Sequence, residues 1–269
     1  MKLRTQSPLW RRVARRLGRQ LFRLAENDDD PCVTSNGEGW LLHRLLAAHV
    51  RTGQDRSFVV FDVGANVGDY TRATFSAAHR EGCSVVVHAF EPSPHNIQRL
   101  RLNFESEPAV RIVGAALSDR NGEASLYGGR DGSSQASLVA RELTDPISAT
   151  VSVTLVRLEN YLEGLGEPHV DLLKLDVEGS ELAVLKGLGD RLRPDIIDVI
   201  QFEYGGTAID AGTTLRDLYR LLGAHGYVLA KLFPDALEMR GYHPWMEHYA
   251  YANYVALSPR WLDSRRAAA

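Results

Sequence analysis

Phe58-Val-Val-Phe-Asp-Val-Gly-Ala-Asn-Val-Gly-Asp69 is the stretch that decides the fold. Six residues dominated by β-branched and aromatic side chains run into two glycines four positions apart, and a helical pattern follows from Asp69. That succession is a buried strand, a tight turn and a helix, the opening of a βαβ unit. Glycine at such a turn lets the backbone approach a ligand closely and leaves amide donors at a helix amino terminus.

The same alternation continues outward. Apolar runs predict strands near 58–63, 84–90, 110–116, 170–176, 196–203, 226–231 and 250–257. Helices fall near 40–50, 68–80, 93–104, 178–188 and 213–225. Strands alternating with helices predict a doubly wound α/β fold around a mostly parallel, seven-stranded, Rossmann-like sheet. Between 117 and 169 the rhythm breaks into turn-rich pieces such as Gly128-Gly-Arg-Asp-Gly-Ser-Ser134, flanked by strand-like Ala124 to Tyr127 and Val151 to Leu155. The expectation is an insertion that lids the carboxyl ends of the sheet, where ligands of such folds bind. The expected organisation is an N-terminal helical extension over 1–50, the catalytic domain over 51–258 with 117–169 as its lid, and a tail over 259–269.

Composition limits the function classes. The 269 residues are 44% hydrophobic and 24% charged, the balance of a folded globular chain. Cys32 and Cys83 show no CxxC spacing, so neither a disulfide framework nor a zinc site is expected. The net charge is −3, yet residues 1–23 hold eight Lys and Arg and no acid, leaving −11 on the remainder. Trp10, Val13, Ala14, Leu17, Leu21 and Leu24 recur at helical spacing with the arginines opposite, a basic amphipathic helix. Residues 1–24 can cap the domain, lie on a membrane surface or hold an acidic partner. With no apolar stretch near 18 residues, the expected location is the cytoplasm, with peripheral contact at the inner membrane surface as the further option.

The turn's details separate the cofactor classes. No Gly-Lys-Ser/Thr follows Gly68, against a P-loop, and Asn66 stands where a dinucleotide fingerprint needs its second glycine. A cofactor without phosphates, bearing a carboxylate and an ammonium, suits Asp62 and this narrower loop. Ala89-Phe-Glu-Pro92 puts Glu91 at the tip of the second strand beside the glycine loop, where a carboxylate can accept both hydroxyls of a ribose. Asp176 and Glu178 follow the strand Val170–Leu175, and Glu203 ends the next one. The three acids converge on one cleft, as general base candidates whose crowding raises their pKa. A divalent cation such as magnesium between Asp176 and Glu203 is the other way to activate a hydroxyl.

Four motifs, in order and at matching spacing, resemble the FkbM-type methyltransferases: Phe61-Asp-Val-Gly-Ala-Asn-Val-Gly68, Ala89-Phe-Glu-Pro92, Ala116-Leu-Ser-Asp119 and Leu173-Lys-Leu-Asp-Val-Glu-Gly179. The resemblance covers roughly 57–257. It implies a class I methyltransferase fold, S-adenosylmethionine as cofactor, and transfer to an oxygen of a small molecule, glycan or polyketide. It further implies that Asp62, Gly64, Asn66 and Gly68 surround the methionine part, Glu91 the ribose, and Ala116, Leu117 and Ser118 the adenine; Asp176 and Glu178, by their place in the cleft, are expected as cofactor or base groups. Nucleic acid is not an expected partner: no Asn/Asp-Pro-Pro-Tyr follows the fourth strand, Pro31-Cys32 precedes the core, and the chain beyond the first helix is acidic. The rival is a non-catalytic module, binding a membrane or partner on a methyltransferase fold; Gly64, Gly68, Glu91 and Asp176, all retained, weigh against it.

Overall fold

The computed structural model describes residues 7–128, 136–140, 150–166 and 169–266. Helices α1 (Leu9–Glu26) and α2 (Glu38–Arg51) precede the sheet. The first half then runs β1 (Phe58–Val63), α3 (Asp69–Glu81), β2 (Val85–Phe90), α4 (Pro94–Asn103) and β3 (Val110–Val113). Strands β4 (Ala116–Ser118), β5 (Gly122–Tyr127) and β6 (Thr150–Arg157) follow, with helix α5 (Leu158–Gly164). The second half comprises β7 (Val170–Leu175), α6 (Glu181–Lys186), β8 (Ile197–Tyr204), α7 (Thr207–Asp210), α8 (Leu215–Ala224), β9 (Val228–Phe233), β10 (Ala236–Met239), β11 (Ala252–Leu257) and α9 (Pro259–Arg266).

Eight strands form the main sheet in the order β10-β9-β11-β8-β7-β1-β2-β3. The five from β3 to β8 run parallel, and β11 is antiparallel to both β8 and β9. The expected seven strands are present. The eighth, β10, is a hairpin return onto β9. Chain order moves outward from β1 through β2 and β3, then resumes on the other side at β7. The crevice at the carboxyl ends of β1 and β7 is therefore the topological switch point, where open α/β sheets bind ligands.

The strand expected over 110–116 is two strands. β3 stops at Val113, the chain turns through Gly114 and Ala115, and β4 joins a separate sheet, β4-β6-β5. Ala116 and Leu117 thus leave the main sheet and pair with Leu155 and Val156. That small sheet occupies the expected insertion, with its own core of Ala116, Leu126, Val153 and Leu155. Residues 129–135 and 141–149, which hold most of the expected lid's turns, lie outside the described residues.

The main sheet is buried on both faces. One carries Phe61, Phe90, Leu173, Ile200, Phe202 and Tyr254, and the other Val60, Val87, Leu172, Val199 and Val255. Both faces of β7 are packed, with all six residues buried. Any charge in that strand is internal and needs a partner.

Candidate functional site

A cavity of about 410 Å³ opens at the switch point, within the range of small-molecule sites. Its first wall is the loop after β1. Gly64 has φ +85°, and a Cβ there would lie 1.8 Å from the carbonyl oxygen of Asp176, so only glycine lets the ends of β1 and β7 meet. Asn66 also sits in the left-handed region, at φ +50°. Its amide donates to Glu91 Oε2 at 2.8 Å, while Glu91 Oε1 accepts from the Ser93 amide at 2.8 Å. Glu91 therefore braces the glycine loop against the start of α4. A carboxylate offers about four acceptor positions, so it retains capacity toward the cavity that it lines. Burial pushes its pKa up, and those amide hydrogen bonds oppose the push.

The far end of the cavity is apolar, walled by Ala115, Ala116, Leu117, Leu126 and Leu138. Ala116 and Leu117, expected around the adenine, stand in this wall. Three expected cofactor residues do not. Ser118 is turned aside toward Asp119, at 3.3 Å. Gly68 caps the start of α3, where a Cβ would come within 2.3 Å of the Phe104 ring. Its glycine thus serves helix packing. Asp62 is fully buried behind the wall and accepts a 2.7 Å hydrogen bond from Thr71 Oγ1. Its influence on the cavity is electrostatic, and burial raises its own pKa.

The opposite end is strongly acidic. Asp176, Glu178 and Glu203 all line it, so the three expected acids do share one cleft. Glu178 is held at φ +51°, and its carbonyl accepts from Ser137 Oγ at 2.8 Å, which ties the small sheet's loop to the cleft. Two residues that the sequence reading passed over decide the electrostatics. Lys174 is buried in β7 with its ammonium 2.8 Å from Asp176 Oδ2 and 4.8 Å from the Tyr70 ring centre. Burial pulls this ammonium down, but Asp176, Glu38, Asp62 and Glu203 together hold it well above the ordinary lysine range. Tyr251 donates to Glu203 Oε1 at 2.5 Å. Burial is the main reason that Glu203 rises well above the ordinary carboxylate range; Asp176 adds to it, and Lys174 and Tyr251 oppose it.

Glu38, from the first turn of α2, closes the acidic end. It accepts from Gln201 Nε2 at 2.5 Å and Asn36 Nδ2 at 2.9 Å. Gln201 in turn accepts from Tyr70 at 3.2 Å. Asp62, Lys174 and Gln201 are register partners across β1, β7 and β8, so their side chains share one face of the sheet.

Lys174 also bears on the expected cation. A positive charge supplied by the chain already sits against Asp176. Among the described residues, the group with metal-ligand spacing is His169, Asp171 and Asp198, on strands β7 and β8 and just before β7. Asp171 there is engaged by both terminal nitrogens of Arg56 at 2.6 Å and by the Val59 amide at 2.8 Å. That cluster is an ion-pair staple at the amino ends of β7 and β8, away from the cleft.

The residues fit a cofactor of the expected chemistry. Asn66 Oδ1 and Asn96 Oδ1 belong to lining residues and are buried without a hydrogen-bond partner among the described residues. Such atoms are costly unless a ligand or water completes them.

The model of the family described as "Methyltransferase FkbM domain" matches residues 62–229. The 31-O-demethyl-FK506 methyltransferase FkbM of Streptomyces tacrolimicus is 31% identical over 198 residues, 64% of this chain and 73% of that protein. The hexuronic acid methyltransferase AglP of Haloferax volcanii is 30% identical over 167 residues, 61% of each chain. A solved FkbM methyltransferase from Methylobacillus flagellatus aligns at 17% identity and a TM-score of 0.48, over 78% of this chain and 47% of that one. The chain thus spans less than two thirds of the second relative and of the solved protein.

Proposed function

The chain belongs to the FkbM methyltransferase family, and from that premise we propose that it transfers a methyl group from S-adenosylmethionine to a hydroxyl oxygen of a small molecule, glycan or polyketide. The observation that carries the reading is the cleft's polarity: an apolar slot at one end, Glu91 in the middle, and the Lys174–Asp176 and Tyr251–Glu203 pairs at the other.

Ala115, Leu117, Leu126 and Leu138 suit a flat purine ring, and Glu91 suits a vicinal diol. The unpaired Asn66 and Asn96 carbonyl oxygens suit the cofactor's polar groups. When bound, S-adenosylmethionine supplies a methyl carbon made electrophilic by its sulfonium.

The chain's own task is to orient an acceptor hydroxyl and take its proton. Glu203 serves as the base. Tyr251 fixes Oε1, leaving Oε2 to accept from the substrate hydroxyl. A raised pKa makes this carboxylate a stronger base than an exposed one, and the positive charge of Lys174 keeps its ionised form accessible. Asp176, with Lys174 against one oxygen, positions the acceptor or the cofactor's ammonium. Glu178, whose carbonyl is tied to Ser137, holds the loop between them.

The test is transfer of a labelled methyl group from S-adenosylmethionine to uronic acid glycosides and macrolide alcohols. The reading expects label in an ether that survives mild alkali. Label released as methanol would mean a carboxylate acceptor and sink the hydroxyl assignment.

A further inference from the structure

Helix α1 is 18 residues long, and none of them is buried. Leu9, Trp10, Val13, Leu17, Leu21 and Leu24 are all more than half exposed. At about 100° per residue these six fall on one half of the helix, and Arg11, Arg12, Arg15, Arg16, Arg19 and Arg23 fall on the other. No acid occurs before Glu26 at the last position.

The helix is nonetheless firmly footed. Glu26 pairs with Lys231 at 2.9 Å and with Arg240 at 2.6 Å, and Asp28 pairs with the same lysine at 2.7 Å. Phe22, on the arginine side, meets Trp245 and His248 edge to face at 6.0 and 5.1 Å. Just beyond the foot, the Asp29 amide donates to the Tyr251 carbonyl at 2.8 Å, and the Tyr251 amide donates to Asp29 Oδ1 at 3.3 Å. Pro31 and Val33 then join the wall of the cleft.

We propose that α1 docks on the surface of an anionic phospholipid bilayer and holds the Tyr251–Glu203 end of the cleft at that surface. A half-apolar, half-arginine helix suits the interfacial plane, with leucines among the acyl chains and guanidiniums reaching the phosphates. No helix among the described residues is long and apolar enough to cross a membrane, so the contact is peripheral. Charge decides against a second copy as the occupant. Pairing two α1 helices through their leucines would bring two all-arginine flanks together with no acid to offset them. Headgroup phosphates supply that charge continuously, at roughly fivefold in affinity per arginine near the surface.

Sedimentation of the full chain with vesicles tests this without any cofactor. Vesicles of equal parts phosphatidylglycerol and phosphatidylcholine should carry the protein down in 100 mM salt, and pure phosphatidylcholine far less. Leu17→Glu/Leu21→Glu, at solvent-exposed positions, should raise the half-saturating lipid concentration at least tenfold. Arg15→Gln/Arg16→Gln should raise it about 25-fold on anionic vesicles. An unchanged melting temperature in both variants shows that the fold is intact. Wild-type protein that stays in the supernatant with anionic vesicles overturns the proposal. So does binding indifferent to the leucine pair, or a dimer that the leucine variant dissolves while neither vesicle takes up protein.

Discussion

Lys174→Met removes the buried cation that faces Asp176, Glu38, Asp62 and Glu203. A pair of unit charges at 4 Å is worth about 4 kcal/mol at an effective dielectric constant of about 20. The contact with Asp176 is discounted because that side chain is one-third exposed and water screens it. The contribution to fully buried Asp62 is not screened in this way, and that to partly buried Glu203 is screened only in part. Breaking a buried ion cluster by removing one partner costs roughly 3–5 kcal/mol, and here ~3 kcal/mol is expected at pH 8. The pH dependence follows from the acids. Burial places the folded-state pKa of Asp62 and Glu203 above their unfolded values, so each costs stability as pH climbs from its unfolded value through its folded one. Without the lysine that window widens upward. The variant should therefore be closest to wild type near pH 5 and furthest from it at pH 8. At 2–4 °C per kcal/mol, the melting temperature should fall by roughly 6–12 °C at pH 8 and by less than half of that at pH 5. Scanning calorimetry or fluorescence melting at the two pH values reads this out. A deficit equal at both, or one below about 2 °C at pH 8, would refute the buried-cation reasoning.

Glu203→Gln should lower kcat by on the order of 10²–10⁴ while cofactor affinity holds. In the wild type kcat/KM should rise with pH along a limb above the ordinary carboxylate range, because only ionised Glu203 accepts the proton; a flat profile from pH 5 to 9 contradicts the assignment. Glu181, buried below the cleft with its carboxyl accepting from the Val177 and Gly179 amides, has a pKa raised by burial to about 7. Its ionisation costs stability as pH rises from the unfolded value toward 7, so Glu181→Gln should be near neutral at pH 4.5 and stabilising by roughly 1–3 kcal/mol at pH 8. Urea midpoints at the two pH values decide it, an equal shift at both being the contrary result. Gly64→Ala places a Cβ 1.8 Å from the Asp176 carbonyl oxygen at a left-handed φ. It should cost at least ~3 kcal/mol and abolish cofactor binding; a melting temperature within 2 °C of wild type would show that the loop can part from β7.

The backbone of the site was legible because its signals are local. A glycine loop between an apolar run and a helix, and a glutamate at the tip of the next run, each follow from a few neighbouring residues. Lys174 and Asp171 were legible in principle: a charge inside Val170–Leu175, a run apolar enough to be buried on both faces, must be internally paired. Glu38 and Tyr251 were not, because their positions depend on how α2 and the segment before β11 fold back over the sheet, far from β1 in sequence. The break at Gly114–Ala115 was hidden for another reason. β3 and β4 are both short and apolar, and only their partners, β2 for one and β6 for the other, separate them. Helix α5 did leave a signal, with Leu158, Tyr161, Leu162 and Leu165 at helical spacing. The turn-rich surroundings masked it.

Everything proposed for the cleft rests on the cofactor, and one titration reaches that most directly. S-adenosylmethionine and its demethylated product are injected calorimetrically into the wild type and into Glu91→Gln, with NADH as the control. The glutamine keeps one carbonyl oxygen for the Asn66 amide, and loses both the acceptor facing the Ser93 amide and the charge offered to the ribose, so an unchanged melting temperature is required of the variant. Micromolar binding of both cofactor forms, at least tenfold weaker in the variant and absent for NADH, is the predicted result. Folded wild-type protein that binds neither form, or that binds NADH as well as S-adenosylmethionine, would contradict it.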